Sequence, residues 1–97
     1  MIVVIGQIQI DPKLLPVLFG RLNDMSGPSR AEDGCIFYHM AVEDAEKGLI
    51  LACEGWRDRE ALDRHLSLPE AQKLLADFEG QVTMDVQVHE VSASHSL

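Results

Sequence analysis

The stretches CIFYHMAV, at residues 35–42, and LILACEGW, at residues 49–56, flank the polar segment EDAEKG at residues 43–48. Both apolar stretches have the length and the β-branched or aromatic content of buried strands. A connection this short joins antiparallel neighbours, because parallel strands need a crossover of a dozen residues or more. The sequence therefore predicts an antiparallel hairpin in the middle of the chain.

The segment before the hairpin predicts one strand and one helix. Apolar residues alternate along Met1–Ile10, and Asp11-Pro12 ends that strand, with Asp11 suited to be a helix N-cap. Pro16 is tolerated only in a first turn, so the helix begins at Pro12 or at Pro16. The segment Ser26–Ser29 contains Gly and Pro and predicts the end of the helix. Its buried stripe is predicted to contain Leu15, Leu18, Leu22 and Met25.

After the hairpin come two short helices, a final strand and a tail. Asp58–Leu66 is predicted to be a helix, and the Ser-x-x-Glu pattern of residues 67–70 predicts a capping box that opens the next one. Gly80 stops that helix, residues 82–88 alternate as a strand, and residues 92–97 form a loose tail. The order βαββ(αα)β predicts a single α+β domain over residues 1–97, with a ferredoxin-like four-stranded antiparallel sheet.

One face of this sheet takes the helices, and the other face is unusually apolar for a surface in contact with water. No segment of the chain is left to cover it, so a symmetric partner subunit, packed sheet against sheet, is the expected cover. Contact with an unlike protein is the alternative. The apolar residues predicted for this open face are Val3, Ile5, Cys35, Phe37, Leu49, Leu51 and Cys53. Both cysteines are interpreted as small buried hydrophobic residues.

The net charge excludes several classes of partner. Sixteen acidic residues against eight basic ones give a formal charge of −8, and no segment concentrates Lys or Arg. Nucleic acids and anionic membranes would be repelled. The apolar start of the chain lacks the basic residues of a secretory signal, and no stretch approaches the length of a membrane span. The expected location is the cytoplasm.

Four side chains that carry chemistry are predicted to converge between sheet and helices. Glu54 and Trp56 share the helix-covered face of their strand, the hairpin register brings Ile36 or Tyr38 near Glu54, and His65 lies on the apolar side of the next helix. An aromatic-lined pocket with acid–base groups is one interpretation, in which burial raises the pKa of Glu54. Structural roles are the alternative: an ion pair for Glu54, a satisfied core position for His65, and packing for the two aromatic residues.

Metal and cofactor sites are not predicted. His39 and His89 fall on the open face and suit a dimer interface, but no set of His, Asp and Glu reaches three metal ligands. Phosphate-binding Gly-rich loops and nucleophile-elbow motifs are absent from the sequence.

Several of these segments together resemble the antibiotic biosynthesis monooxygenase (ABM) domain family. The resemblance is carried by Met1–Ile10 followed by Asp-Pro, by the segment Glu32–Tyr38, by Glu54-Gly-Trp56, by Ala61-Leu62 and by His65. It implies a dimeric α+β barrel and a cofactor-independent oxygenase of small aromatic quinols or polycyclic phenols. Under the oxygenase hypothesis, the residue pattern favours Glu54 or His65 as the base, with Tyr38 and Trp56 shaping the pocket.

The chain departs from the family pattern in two places. Many members have a second His in a Thr-Pro-His-Phe-like stretch, where this chain has residues 68–71, LPEA. The haem-degrading branch uses Asn, Trp and His, where this chain has Gly6, His65 and Leu75, so haem degradation is not expected. A small-molecule binding or sensing domain and a non-oxidative isomerase or cyclase stay open as alternatives.

Overall fold

The computed structural model describes every residue from Met1 to Leu97. It contains a four-stranded antiparallel sheet with helices packed on one face. The strand order is β2-β3-β1-β4, so the first and third strands occupy the centre. The predicted ferredoxin-like α+β fold and the hairpin are both confirmed. The elements are β1 (Ile2–Ile10), α1 (Leu15–Arg30), β2 (Cys35–Asp44), β3 (Leu49–Trp56), α2 (Arg59–Leu66), α3 (Pro69–Asp77) and β4 (Val82–Glu90).

The core lies between the helices and the two central strands. Even-numbered residues of β1 and β3 point to the helices, as the alternation predicted, and their side chains are almost fully buried. Each such aliphatic side chain contributes about 1.5–3 kcal/mol relative to exposure. One cluster joins β1 and β3 to α1 and α3, and a second joins them to Tyr38 and α2.

A β-bulge at the start of β2 changes the predicted faces. Cys35 pairs with Trp56, and Phe37 pairs with the adjacent Gly55, so Ile36 is an extra residue. Ile36 is 55% exposed, and Cys35 packs against the core cluster around Trp56. The prediction that Cys35 lies on the open face was wrong, because the bulge inverts the alternation. Cys35 is also only half-buried, as is Cys53 on the open face.

Helix α1 begins at Leu15 with Pro16 in its first turn, which confirms one of the two predicted starts. Asp11 does not cap it. The Asp11 carboxylate instead accepts a hydrogen bond of 2.9 Å from the Lys13 backbone in the preceding turn. The side chain is too far ahead of the helix to reach its first free N–H groups.

The predicted end of α1 was also wrong, since the helix continues through Pro28 to Arg30. Ser26 is buried, and its hydroxyl donates to the Leu22 carbonyl at 2.9 Å. Pro28 falls in the last turn and has no N–H, so the carbonyl of Asp24 lacks its helical hydrogen bond. Asp24 is exposed, and water can hydrate this carbonyl. Small residues here let the helix end pack closely on β2, so tertiary packing outweighs the helix-breaking sequence.

The predicted capping box at the start of α3 is not formed. Leu68 is the N-cap residue and makes no side-chain cap. The Ser67 hydroxyl donates instead to the Asp63 carbonyl at 2.8 Å. Only two residues separate α2 from α3, so Ser67 still belongs to the last turn of α2 and cannot also cap α3.

The side of the sheet away from the helices is covered by no segment of the chain. Ile5 and Leu51 are 40% and 38% exposed there, and Val3, Phe37 and Cys53 are partly exposed. Residues 92–97 form no helix or strand and are exposed. None of the helices is long and apolar enough to cross a membrane.

Candidate functional site

The hairpin brings three of the predicted site residues together at one end of the sheet. Glu54 on β3 pairs directly with Tyr38 on β2, and both point to the helix side with 8% and 3% exposure. Trp56 lies two residues beyond Glu54 on the same face and is fully buried. Its indole Nε1 donates a hydrogen bond of 3.0 Å to Glu54 Oε1. The indole N–H is thereby satisfied by an acidic side chain within the core.

Helix α2 delivers His65 to this group. The Asp58 carboxylate caps the helix by accepting from the Ala61 backbone N–H at 2.8 Å, which fixes its start and its orientation. The imidazole centroid of His65 then lies 4.7 Å from Trp56 and 5.5 Å from Tyr38. All four predicted site residues are therefore brought together, as the sequence indicated.

Glu32, which the residue patterns did not single out as a candidate, completes the cluster. Its Oε2 is 2.8 Å from His65 Nδ1, and His65 Nε2 is 4.0 Å from Glu54 Oε1. Glu32 lies in the polar loop between α1 and β2, where linear periodicity gives no sign that the side chain returns over α2. The one local hint in the sequence is Gly34, because glycine is common where a loop turns sharply. Its φ of 88° in the structure shows that the loop does turn there, just before β2.

Ion pairs around the next residue hold this loop in place. The Asp33 carboxylate is 3.1 Å from Arg57 and 3.5 Å from Arg64, and the Arg57 backbone N–H donates to the Gly34 carbonyl at 2.7 Å. The Arg57 guanidinium lowers the pKa of the exposed Asp33 carboxyl. Each such exposed pair adds little stability. Together they hold the loop that carries Glu32 in position.

Burial controls protonation within the cluster. It raises the pKa of the Glu54 carboxyl, although the Trp56 hydrogen bond and the His65 charge work in the opposite direction. The pKa of the Tyr38 phenol is raised by burial and then by the Glu54 charge, so Tyr38 keeps its proton at neutral pH. The pKa of the Cys35 thiol is raised by burial and by Glu32 and Glu54, which leaves a poorly nucleophilic thiol.

The contact with Glu32 determines which nitrogen of His65 is free. A carboxylate only accepts hydrogen bonds, so a neutral His65 bonded to Glu32 carries its proton on Nδ1. Nε2 then has a lone pair and can take a proton. The Glu32 carboxylate stabilises the imidazolium that results, in the way that the acid of a catalytic triad supports its histidine.

A cavity of about 110 Å³ lies between the sheet and the helices. Of its 14 lining residues 13 are hydrophobic, and His65 is the exception. Tyr38 also contributes to the lining, whereas Glu54 and Trp56 do not. Three lining residues, Leu66, Leu75 and Met84, are 42%, 46% and 51% exposed and mark the mouth of the cavity.

Among the His, Cys, Asp and Glu side chains, no group of three or more is arranged to hold a metal ion. The cavity lining contains no Lys or Arg that would bind the phosphate of a nucleotide cofactor. An imidazole in an otherwise apolar cavity is suited to removing a proton from an apolar molecule.

Comparison with known proteins links this chain to named relatives. The sequence profile of the family "Antibiotic biosynthesis monooxygenase" matches residues 1–77. The Mycobacterium tuberculosis protein named "Putative monooxygenase Rv0793" is 33% identical over 87 residues, which cover 90% of this chain and 85% of the relative. Its solved structure superposes with a TM-score of 0.84 at 30% identity and 98% coverage of both chains.

Two further relatives add length and fold information. The Synechocystis protein named "Uncharacterized protein sll1783" is 37% identical over 68 residues, which are 70% of this chain but only 46% of that protein. The solved structure of the Deinococcus radiodurans protein described as "a putative antibiotic biosynthesis monooxygenase" has a TM-score of 0.88 at 22% identity, covering 100% of this chain and 98% of its own. At that identity the likeness shows a shared fold alone.

Proposed function

The chain belongs to the antibiotic biosynthesis monooxygenase family, and on that premise we propose that it transfers one oxygen atom of O₂ to a small aromatic substrate with a dissociable hydroxyl group, such as a quinol or a phenol. In this proposal no flavin, haem or metal takes part. The observation that carries it is His65, supported on Nδ1 by Glu32 and placed in the lining of an otherwise apolar cavity.

His65 acts as the base in this mechanism. Its Nε2 takes the proton of the substrate hydroxyl, and Glu32 stabilises the imidazolium formed. Tyr38 keeps its proton and lines the same cavity, so it is suited to donate a hydrogen bond to the substrate oxygen. Glu54 and Trp56 lie beside the His65 ring but do not line the cavity, so we assign them positioning roles rather than contact with substrate.

The deprotonated substrate supplies the electrons. An electron-rich phenolate ring reduces O₂, and a ring CH₂ in the keto form becomes C=O. One atom of O₂ enters the product and the other leaves as water with the two hydrogens. The apolar lining keeps bulk water from quenching the reduced oxygen species.

Oxygen consumption tests this function directly. Purified protein without added cofactor is incubated with quinols and phenols in an oxygen electrode cell, and uptake must depend on protein. His65→Gln should lower the rate by about 100-fold or more, the range of general base catalysis. His95→Gln, in the exposed tail, is the matched control and should retain full activity.

The two alternatives give different results in the same assay. Product formed equally well without oxygen would show a non-oxidative isomerase or cyclase. Ligands that raise the melting temperature but are never turned over, in the wild type and in His65→Gln alike, would show a binding domain.

We also propose that the chain forms a homodimer through the open face of the sheet. Ile5 and Leu51 are the most exposed apolar side chains at its centre, and a second copy of the same face would bury both. Cys35 and Cys53 are free thiols, which suits the cytoplasm that we propose as the location.

A further inference from the structure

We infer that the cavity selects a neutral, single-ring phenol whose only polar group faces His65 and whose opposite end is apolar. This inference rests on the proposed function and narrows the substrate class of the same site. It follows from the placement of polar groups, the cavity volume and the lack of any cation in the lining.

The polar groups occupy one end of the cavity. The strand register aligns Tyr38 with Glu54 and Glu54 with Val4, so the polar end sits beside residue 4 of β1. The other end is formed by Ile8, four residues further along β1 or about 13 Å. Its neighbours there are Val82 and Phe78, which offer no hydrogen bond from their side chains. A ligand with polar groups at both ends would leave one of them unpaired.

The volume of the cavity is suited to about one ring. A buried apolar cavity of about 150 Å³ is known to bind benzene, and the cavity here is about 110 Å³. A phenol with a short alkyl group fits if the alkyl group points to the mouth. Fused rings require displacement of Leu66, Leu75 or Met84, which line that mouth.

Electrostatics exclude a carboxylate at the apolar end. No Lys or Arg lines the cavity, and the titratable groups that face His65 are the acids Glu32 and Glu54 with the Tyr38 phenol. A ligand carboxylate packed against the side chains of Ile8 and Phe78, which are only 7% and 8% exposed, would lose its hydration without gaining a partner. The site therefore favours a neutral ligand.

Trp56 reports on binding without any turnover. It is the sole tryptophan of the chain, and its ring lies 4.7 Å from that of His65. Under anaerobic conditions the fluorescence is titrated with 4-ethylphenol, ethylbenzene, 4-hydroxybenzoate and 1-anthrol. Ethylbenzene, which lacks the hydroxyl, should bind about fivefold or more weakly than 4-ethylphenol, and the charged and fused-ring compounds about tenfold or more weakly. Equal or tighter binding of 4-hydroxybenzoate or 1-anthrol overturns the inference.

A charge added at the mouth should change this selectivity. Leu75 lines the cavity and is 46% exposed, so Leu75→Lys places an ammonium group beside the apolar end without burying it. We expect 4-hydroxybenzoate to gain about tenfold in affinity. Val17→Lys adds the same charge on α1 outside the cavity, at a residue 59% exposed, and should leave all four affinities unchanged. An equal gain in both variants contradicts the placement of the ligand.

Failure of this inference differs from failure of the proposed function. The predicted binding order without oxygen uptake supports the selectivity and contradicts the monooxygenase. Oxygen uptake with 1-anthrol in preference to the single-ring phenols, with 1-anthrol also the tighter ligand, supports the monooxygenase and overturns the selectivity.

Discussion

His65 lies between two acids that differ in exposure, and this difference assigns them separate roles. Glu32 touches Nδ1 at 2.8 Å from a partly exposed loop, while Glu54 is 4.0 Å from Nε2 and almost fully buried. Glu32 is therefore suited to accept a hydrogen bond from Nδ1 and so to fix the tautomer. Burial raises the pKa of the Glu54 carboxyl, so Glu54 gives up its proton less readily than an exposed glutamate.

Removing Glu32 should change the tautomer of His65. In the wild type we expect the proton of neutral His65 on Nδ1. Glu32→Ala should move it toward Nε2, the common tautomer when no acceptor faces Nδ1. Nitrogen-15 NMR of the imidazole distinguishes the two forms. Glu46→Ala, in an exposed turn, is the control. An unchanged His65 spectrum in Glu32→Ala would remove Glu32 from the mechanism.

Replacing Glu54 tests the direction in which burial moves its pKa. A carboxyl whose folded pKa is raised contributes stability below its unfolded pKa and loses that contribution as pH rises through the folded pKa. Glu54→Gln keeps an acceptor for Trp56 and cannot ionise. Its free energy of unfolding should therefore rise relative to the wild type as the pH increases from below the unfolded pKa of a carboxyl through the higher folded pKa of Glu54. A carboxyl that is a tenfold weaker acid in the folded state than in the unfolded state corresponds to about 1.4 kcal/mol.

Urea unfolding at several pH values measures this difference. Glu79→Gln, which replaces an exposed glutamate after α3, serves as the control. A Glu54→Gln variant whose stability relative to wild type does not change with pH would show that the Glu54 carboxyl is not destabilised by burial.

At the scale of elements, the entry to β2 depends on Gly34. Its φ of 88° is unfavourable for other residues, and a Cβ there would lie 2.5 Å from the Ala61 side chain on α2. We expect Gly34→Ala to lower the free energy of unfolding by about 1–3 kcal/mol. Gly20 is the matched control, because it lies within α1 with open space around it. Gly20→Ala should raise stability by about 0.5–1 kcal/mol. Equal effects in both variants would contradict the steric argument.

Alternation predicted the strands well because one face of each central strand is buried. The prediction of faces failed at the bulge of β2. The extra residue, Ile36, is accommodated by how α2 and Trp56 pack, and an alternating sequence pattern does not reveal it. The end of α1 was missed for a related reason. The Gly-Pro pair disfavours a helix locally, but Arg30 donates from its Nε to the Tyr38 carbonyl at 2.9 Å and ties the last turn to β2.

Residues of the candidate site were predictable only in strands and helices, where the periodicity of the element determines which way each side chain points. Tyr38, Glu54 and Trp56 follow from strand alternation, and His65 follows from the helical stripe. Glu32 does not, because a loop residue has no periodic neighbour that fixes where its side chain points. The cavity boundary was equally out of reach, since it depends on volumes contributed by six elements.

At the scale of the whole molecule, the proposed homodimer rests on the open face of the sheet, which no segment of the chain covers. Ile5 and Leu51 lie on its central strands, and each is flanked by further apolar side chains. A twofold dimer brings each such residue near a copy of its own face. Leu51→Glu would then place a carboxylate in a desolvated position in both subunits, which costs several kcal/mol when no cation is present.

Light scattering coupled to gel filtration measures the outcome. We expect the wild type to have twice the mass of the 10.8 kDa chain, and Leu51→Glu to have the mass of one chain. Val17→Glu adds the same charge at an exposed residue of α1 and should stay dimeric. A monomeric wild type at about 100 µM would show that a different cover protects the face, because a dimer that buries an interface of ordinary size assembles well below that concentration. A dimer that survives Leu51→Glu would place the contact elsewhere, and the open face would then need an unlike partner.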